Sequence, residues 1–172
     1  MFEGEEFERY IALDYSRLVS ALWTVTGSRS VAEDLVQEAL ASALDVITRG
    51  RTVEDLASYV RVSAFNLSRN RWRRLWRERS ALQHFGDRHQ VGDTTSVVDD
   101  AVDIGSALAV LSRREREAVS LFYQLDLSVA ETATAMGVSL GTVKTLLSRA
   151  RAQMLKRLEP GRTEKADEHL GS

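Results

Sequence analysis

The chain has 172 residues, of which 44% are hydrophobic and 28% are charged. This length can bury one ordinary core or two small ones, which excludes a large multidomain enzyme. The formal net charge of −2, taken alone, argues against nucleic-acid binding. The sequence contains no cysteine, so disulfides, thiol redox chemistry and cysteine-ligated zinc are excluded.

Several further classes of protein are disfavoured by what the sequence lacks. It has no run of 18 apolar residues and it opens on the acidic stretch MFEGEEFERY, so we expect no membrane insertion, no secretion and a cytoplasmic location. His84, His89 and His169 have no metal-ligand spacing, so no metal site is expected. There is no glycine-rich phosphate motif and no Ser/His/Asp set, so we expect neither an enzyme nor a cofactor.

Charge is distributed unevenly along the chain. Residues 1–60 carry 5 basic and 11 acidic side chains, whereas residues 61–92 carry 8 basic and 2 acidic ones. A second basic stretch at 139–158 has 5 basic side chains and no acidic one. Two basic stretches on an acidic chain favour two separate contacts with a polyanion, because a charged face acts within a Debye length of about 8 Å. The alternative is two solvated helix faces.

The first half of the chain is predicted to be helical. Apolar residues follow helical spacing over residues 7–25, and Gly27 then supplies a stop signal. A capping box from Ser30 to Glu33 opens a second predicted helix, which runs to about Thr48.

A third, long helix is predicted after a cap formed by Thr52 and Asp55. Its first part packs inward through an apolar stripe, and the stretch NRWRRLWRER then makes it strongly basic. Residues 80–103 show no sustained period and are rich in glycine, aspartate, serine and threonine. We therefore predict a flexible linker there.

Short helices are predicted to follow the linker. Their start signals are Ser112 with Glu115, Ser128 with Glu131, and Ser139. With a single proline in the sequence and no alternating β-branched run, the predicted fold class is all-α, with two small helical domains. The predicted division is a first domain at 1–79, the linker at 80–103, a second domain at 104–158 and a disordered tail at 159–172.

A helix-turn-helix is predicted within residues 128–158. Ala133 supplies the small residue where the two helices cross, Gly137 makes the turn and Val143 anchors the second helix. That helix presents polar and basic side chains able to contact phosphates and base edges in the major groove. They are Thr142, Lys144, Thr145, Ser148, Arg149 and Arg151. The alternative is an ordinary helical hairpin with a basic outer face.

Three segments together resemble bacterial RNA polymerase sigma factors of the extracytoplasmic-function (ECF) type. They are AEDLVQE at residues 32–38, the third-helix positions Tyr59, Val60, Ala64, Asn66, Asn70, Arg73 and Arg74, and residues 111–155. The last segment is shared with other regulators, whereas the first two in this order are more specific. The resemblance covers about residues 7–158. It implies a first domain corresponding to sigma region 2 and a second corresponding to region 4.

The resemblance also implies partners. It assigns Asp34, Leu35, Gln37 and Glu38 to contact with the clamp helices of the largest subunit of core RNA polymerase. It assigns capture and opening of the promoter minus-ten element to a second set: Arg49, Arg51, Asn66, Arg69, Asn70, Arg73 and Arg74. The helix-turn-helix would then read the minus-thirty-five element, and an anti-sigma factor is an implied further partner. Each charged set could equally be a solvated helix face.

Some features leave the interpretation open. Trp72 and Trp76 could stack on exposed bases or pack within the protein. Tyr59, Asn70 and Leu146 depart from the usual family pattern, which leaves the promoter sequence undetermined. Because the opposite charges nearly cancel, we expect weak DNA binding by the isolated chain. Two other functions remain at this point: a stand-alone helix-turn-helix regulator, and an adaptor whose acidic domain binds a protein without a role in initiation.

Overall fold

The computed structural model describes residues 4–82 and 102–158, and every regular element within them is a helix. This confirms the all-α prediction. The helices are α1 (Gly4–Leu13), α2 (Tyr15–Thr26), α3 (Arg29–Thr48), α4 (Leu56–Leu82), α5 (Val102–Ala109), α6 (Arg113–Val119), α7 (Val129–Met136) and α8 (Leu140–Leu158). The predicted linker at 80–103 overlaps the end of α4 and the start of α5. Its remainder at 83–101 and the predicted tail at 159–172 lie outside the described residues.

The first predicted helix is two helices, α1 and α2, separated at Asp14. The break lets α2 turn its apolar side, including Leu18 and Leu22, into the core. Gly27 ends α2 as predicted: it adopts φ +73°, and its N–H donates to the carbonyl of Trp23 at 2.8 Å. Such a left-handed C-terminal residue is where glycine is favoured.

Two predicted helix starts are displaced. Helix α3 is capped by Ser28 instead of Ser30, because the Ser28 hydroxyl accepts from the backbone N–H of Val31 at 3.4 Å. Glu33, the expected partner in the capping box, is instead paired with Arg29 at 3.0 Å. Helix α4 begins after Asp55, whose carboxylate accepts from the backbone N–H of Ser58 at 3.0 Å.

Helix α4 has two different parts. Its first half is held in the core by Leu56, Val60, Ala64 and Phe65, all buried. From position 70 onwards nearly every side chain is exposed, so the basic half projects from the bundle and continues to Leu82.

The second half of the chain follows its predicted start signals. Ser112 with Glu115 and Ser128 with Glu131 both form complete capping boxes. Helix α6 continues into a π-helical turn over Ser120–Gln124, closed by the N–H of Leu125 donating to the carbonyl of Ser120 at 3.1 Å.

The two halves pack against each other. Helix α2 contacts α6 and the π-helical turn, and α4 contacts α7. The buried apolar residues of both halves form one continuous cluster. Within the described part of the chain, no helix has the length and apolar character needed to cross a bilayer.

Candidate nucleic-acid interface

Helices α7 and α8 form the predicted helix-turn-helix. Ala133 is buried on α7, and Gly137 makes the turn with φ +65°. Val143 and Leu147 lie on the buried side of α8. The Ser139 hydroxyl accepts from the N–H of Thr142 at 3.2 Å and so caps α8. The geometry required for a recognition helix is therefore present.

The exposed side of α8 carries the predicted polar set. Lys144, Thr145, Ser148, Arg149 and Arg151 are exposed, and Thr142 is half-buried. The surroundings of these side chains differ. Thr142, Thr145 and Arg149 line a cleft whose other wall includes Trp72 of α4 and Arg113 of α6.

Arg151 differs from the rest of the set because a neighbouring tyrosine holds it. Its Nε donates to the hydroxyl of Tyr123 at 2.6 Å, and its guanidinium carbon lies 5.7 Å from the centroid of the Tyr123 ring. Both the hydrogen bond and the cation–π contact restrict the rotamers of the arginine.

Most of the residues predicted to meet the minus-ten element lie on an exposed surface at α4 and the loop before it. Arg51, Asn66, Asn70 and Arg73 are exposed. Two other members are exposed, and each pairs with an acid four positions away. Such surface ion pairs contribute little free energy. Arg49 pairs with Asp45 at 2.9 Å and Arg74 with Glu78 at 3.9 Å.

Arg69 is the exception in this set, because it lies at the contact between the two halves. Its side chain is only 15% exposed, and it forms an ion pair with Glu117 of α6. It also donates to the carbonyl of Ala135 at 3.0 Å and to the side chain of Asn66. The structure therefore separates Arg69 from the other predicted minus-ten residues.

Glu117 is the buried acid at the centre of this contact. Its side chain is 2% exposed, and its second oxygen lies 3.8 Å from Arg113, whose guanidinium also donates to the hydroxyl of Ser68 at 2.8 Å. Burial raises the pKa of Glu117, and the guanidinium of Arg69 opposes that rise. Burial lowers the pKa of Arg113, and Glu117 opposes that fall. Each charge therefore depends on the others to remain buried.

The two tryptophans stack on each other. The ring centroids of Trp72 and Trp76 are 5.7 Å apart at an interplanar angle of 19°. Arg113 lies 5.5 Å from the Trp72 ring centroid. Their exposed fractions are 45% and 60%, so both side chains contribute to packing and also keep an exposed surface.

The segment predicted to contact polymerase forms an exposed stripe on α3. Asp34, Gln37 and Glu38 are exposed, and Gln37 donates to the hydroxyl of Tyr15 at 3.1 Å. Leu35 is only 5% exposed and belongs to the core. Its side chain supports the helix from within, and its contact with polymerase stays a prediction.

Sequence reasoning missed the residues that join the two halves. They are Arg17, Thr24, Ser68, Arg113, Glu117, Gln124 and Asp126. Glu117 had a detectable signal, because it lies one helical turn before the buried Leu121 and next to the buried Ala118. An acid at a buried helical position implies a paired charge.

Two family models match the chain. The model described as Sigma-70 region 2 matches residues 11–78, and the model described as Sigma-70, region 4 matches residues 101–154. Both describe parts of RNA polymerase sigma factors, which defines the class of protein.

Similar proteins and one solved structure show which type of sigma factor the chain resembles. The RNA polymerase sigma-E factor of Streptomyces coelicolor is 32% identical over 161 residues, covering 92% of this chain and 89% of the relative. The ECF RNA polymerase sigma factor SigC of Mycobacterium tuberculosis is 32% identical over 163 residues, covering 91% and 83%. The sigma factor RpoE of Bartonella quintana, solved in complex with the anti-sigma factor NepR, shares the fold, with a TM-score of 0.71, 24% identity, and coverage of 92% of this chain and 99% of that one.

The chain therefore belongs to the ECF sigma factors. Its relatives are transcription initiation factors and not enzymes. The alternative of a stand-alone helix-turn-helix regulator is not favoured by these relatives.

Proposed function

We propose that this sigma factor directs core RNA polymerase to promoters through three separate surfaces and assists strand opening. The proposal is supported by the presence, in one chain, of an acidic stripe on α3 and of two basic helices, α4 and α8. A protein that must bind both polymerase and DNA needs surfaces of both signs. Such a protein acts in the cytoplasm, where polymerase and chromosome are found.

The acidic stripe is proposed as the polymerase contact. Asp34 and Glu38 lie one helical turn apart, and Gln37 is exposed beside them. Charges on this surface would repel the DNA backbone, which supports a protein partner. The clamp helices of the largest polymerase subunit are the proposed partner.

The two basic helices are proposed as the DNA contacts. Arg49, Arg51, Asn66, Asn70, Arg73 and Arg74, together with Arg69 once it is released, would meet the minus-ten element. The polar set of α8 would enter the major groove at the minus-thirty-five element, where side chains of this kind read base edges. In this arrangement phosphate contacts set the register and base contacts set the sequence.

An anti-sigma factor is proposed as a further partner. The Bartonella quintana neighbour was solved in complex with one. In the described conformation the chain largely buries Arg69, a residue proposed to contact DNA. A protein that stabilises this conformation would therefore restrain activity.

Run-off transcription tests the proposed function. Core polymerase, this protein and a fragment of its own upstream region are mixed, and a defined transcript start is expected. The absence of a start on several candidate promoters, together with no co-purification with core polymerase, would overturn the proposal.

A charge-reversal pair tests the polymerase surface separately. Asp34→Arg with Glu38→Arg is expected to abolish co-purification with core polymerase. Glu5→Arg with Glu8→Arg is the matched control, because these are also two exposed helical acids but lie on α1. Equal loss in both variants would show that net charge, and not this surface, governs binding.

A further inference from the structure

Parts of the proposed DNA surfaces of α4 and α8 are turned toward the other half of the folded chain. The guanidinium of Arg69 is directed into the contact between the halves, where it meets Glu117 and the Ala135 carbonyl. Thr142, Thr145 and Arg149 line a cleft whose other wall includes Trp72 and Arg113. The major groove is about 8.5 Å deep, so a recognition helix needs free space around its exposed side, and Trp72 of α4 lies across the cleft from that side.

Glu117 joins the two halves because it contacts one arginine from each half. Arg69 comes from α4 in the first half, and Arg113 comes from α6, one helical turn before Glu117. Ser68, itself buried, accepts from Arg113 and closes the cluster from the α4 side. Removal of the acid would leave two guanidiniums close together in a site of low solvent exposure.

Removal of the Glu117 carboxylate would destabilise the closed arrangement of the two halves far more than an open one. In the closed arrangement the two arginines would lose the carboxylate that both of them contact. In an open arrangement water would hydrate both of them. Breaking one partner of a buried ion pair strongly destabilises the state that buries it.

We propose that Glu117 is an internal lock that holds the two halves closed and keeps Arg69 and the recognition helix from DNA. The proposal rests on the proposed function, since it requires these surfaces to be DNA contacts. Opening would require a partner, namely core polymerase, that separates the halves.

A second polar contact supports closure from the solvent side. Arg17 donates to the Gln124 carbonyl at 3.1 Å and pairs with Asp126 at 2.6 Å, and the Gln124 side chain donates to Thr24 at 3.0 Å. Arg17 and Asp126 are exposed, so this pair contributes little stability.

Distance measurements on the free protein test the lock without any DNA. Because the chain has no cysteine, Ala41→Cys and Ala152→Cys, both exposed and on α3 and α8, accept spin labels specifically. Glu117→Gln is expected to increase the population with long label separations at least tenfold. Glu131→Gln is the matched control, because Glu131 is an exposed acid that caps α7 and glutamine retains the capping function. An unchanged distance distribution in a folded Glu117→Gln protein overturns the lock.

DNA binding by the unlabelled free protein tests the consequence. Glu117→Gln is expected to bind promoter DNA at least tenfold more tightly than the unaltered chain, a gain that misfolding could not produce. Wider label separations with unchanged DNA affinity would show that closure does not inhibit DNA binding. The inhibitory role would then be overturned, and the proposed DNA surface would be the part in error. Unchanged distances with normal run-off activity would instead overturn the lock and leave the proposed function standing.

A second variant keeps the test decisive if Glu117→Gln fails to fold by circular dichroism. Arg69→Gln removes the other partner of the same ion pair, from the more exposed side of the contact, and is expected to widen the distances. Unchanged distances in a folded Arg69→Gln protein overturn the lock.

Discussion

Arg69 and Glu117 are separated by 48 positions in the sequence and form an ion pair across the contact between the two halves of the chain. One is proposed to touch DNA and the other is buried. Their pairing couples the position of the domains to the availability of a DNA-binding side chain. Charge composition alone predicts weak DNA binding by the free protein, and the proposed lock would give that prediction a structural cause.

Recognition-helix variants should separate DNA reading from polymerase binding. Lys144→Ala and Arg149→Ala are each expected to reduce discrimination of the upstream promoter element by about 1–3 kcal/mol, if each reads a base. Binding to core polymerase should be unchanged. Gel-shift measurements of the assembled holoenzyme check this, with Lys156→Ala as the exposed basic control outside the proposed set. Simultaneous loss of polymerase binding would contradict the division of roles.

The turn glycine makes a prediction about stability. Gly137 has φ +65°, and among the described residues the space that an added methyl group would take is open, so Gly137→Ala carries only the conformational cost, about 1–2 kcal/mol. Gly105→Ala is the matched comparison, since Gly105 lies within α5 and also has open space. It should stabilise the chain by about 0.5–1 kcal/mol. Urea denaturation compares the two, and equal effects would show that backbone conformation is not the cause.

Tyr123 is expected to affect DNA affinity indirectly, by holding the side chain of Arg151. Tyr123→Phe removes the hydroxyl that accepts from Arg151 and retains the ring beneath the guanidinium. We expect a smaller loss of holoenzyme affinity for promoter DNA than Arg151→Ala causes. In the double variant the two losses should not add, because they remove parts of one interaction. Additive losses would mean that Tyr123 and Arg151 act independently.

The capping box of α7 should make the stability of the chain depend on pH. Hydrogen bonds from the side chain and backbone of Ser128 lower the pKa of Glu131. Its carboxylate is favoured in the folded state, so the contribution is complete above the ordinary glutamate pKa of about 4.3 and is lost as pH falls through the lowered value. Denaturation at a series of pH values checks this against Glu131→Gln, which should show a weaker acid dependence. A steeper dependence in that variant would reverse the sign and contradict the assignment.

The helix-turn-helix could be predicted because its determinants are local. Ala133, Gly137 and Val143 fix the turn within eleven positions, and serine caps mark the helix starts. The start of α3 was displaced because Ser28 and Ser30 are both competent caps. Glu33 lies four positions after Arg29, a spacing that also allows an ion pair in place of the cap.

The contact between the halves could not be predicted in the same way. It joins polar side chains of distant segments, such as Arg17 with Asp126, and such pairs leave no periodic signal. Leu35 shows the converse difficulty, because a motif resemblance does not distinguish an exposed member from a buried one. Only the position of Glu117 on a buried helical face indicated that a partner was needed.

The π-helical turn at Ser120–Gln124 determines the position of the loop that leads from it to α7. It contains more residues per turn than an α-helix, so the chain leaves it in a direction that brings the Gln124 carbonyl and Asp126 to Arg17. Deletion of a single residue there would remove the extra residue and convert the turn to regular α-helix. The Gln124 carbonyl and Asp126 would then be displaced relative to Arg17, while the helix-turn-helix kept its internal packing. If the proposed lock holds, a one-codon deletion would be a short mutational route from a sigma factor that closes on itself to one that stays open.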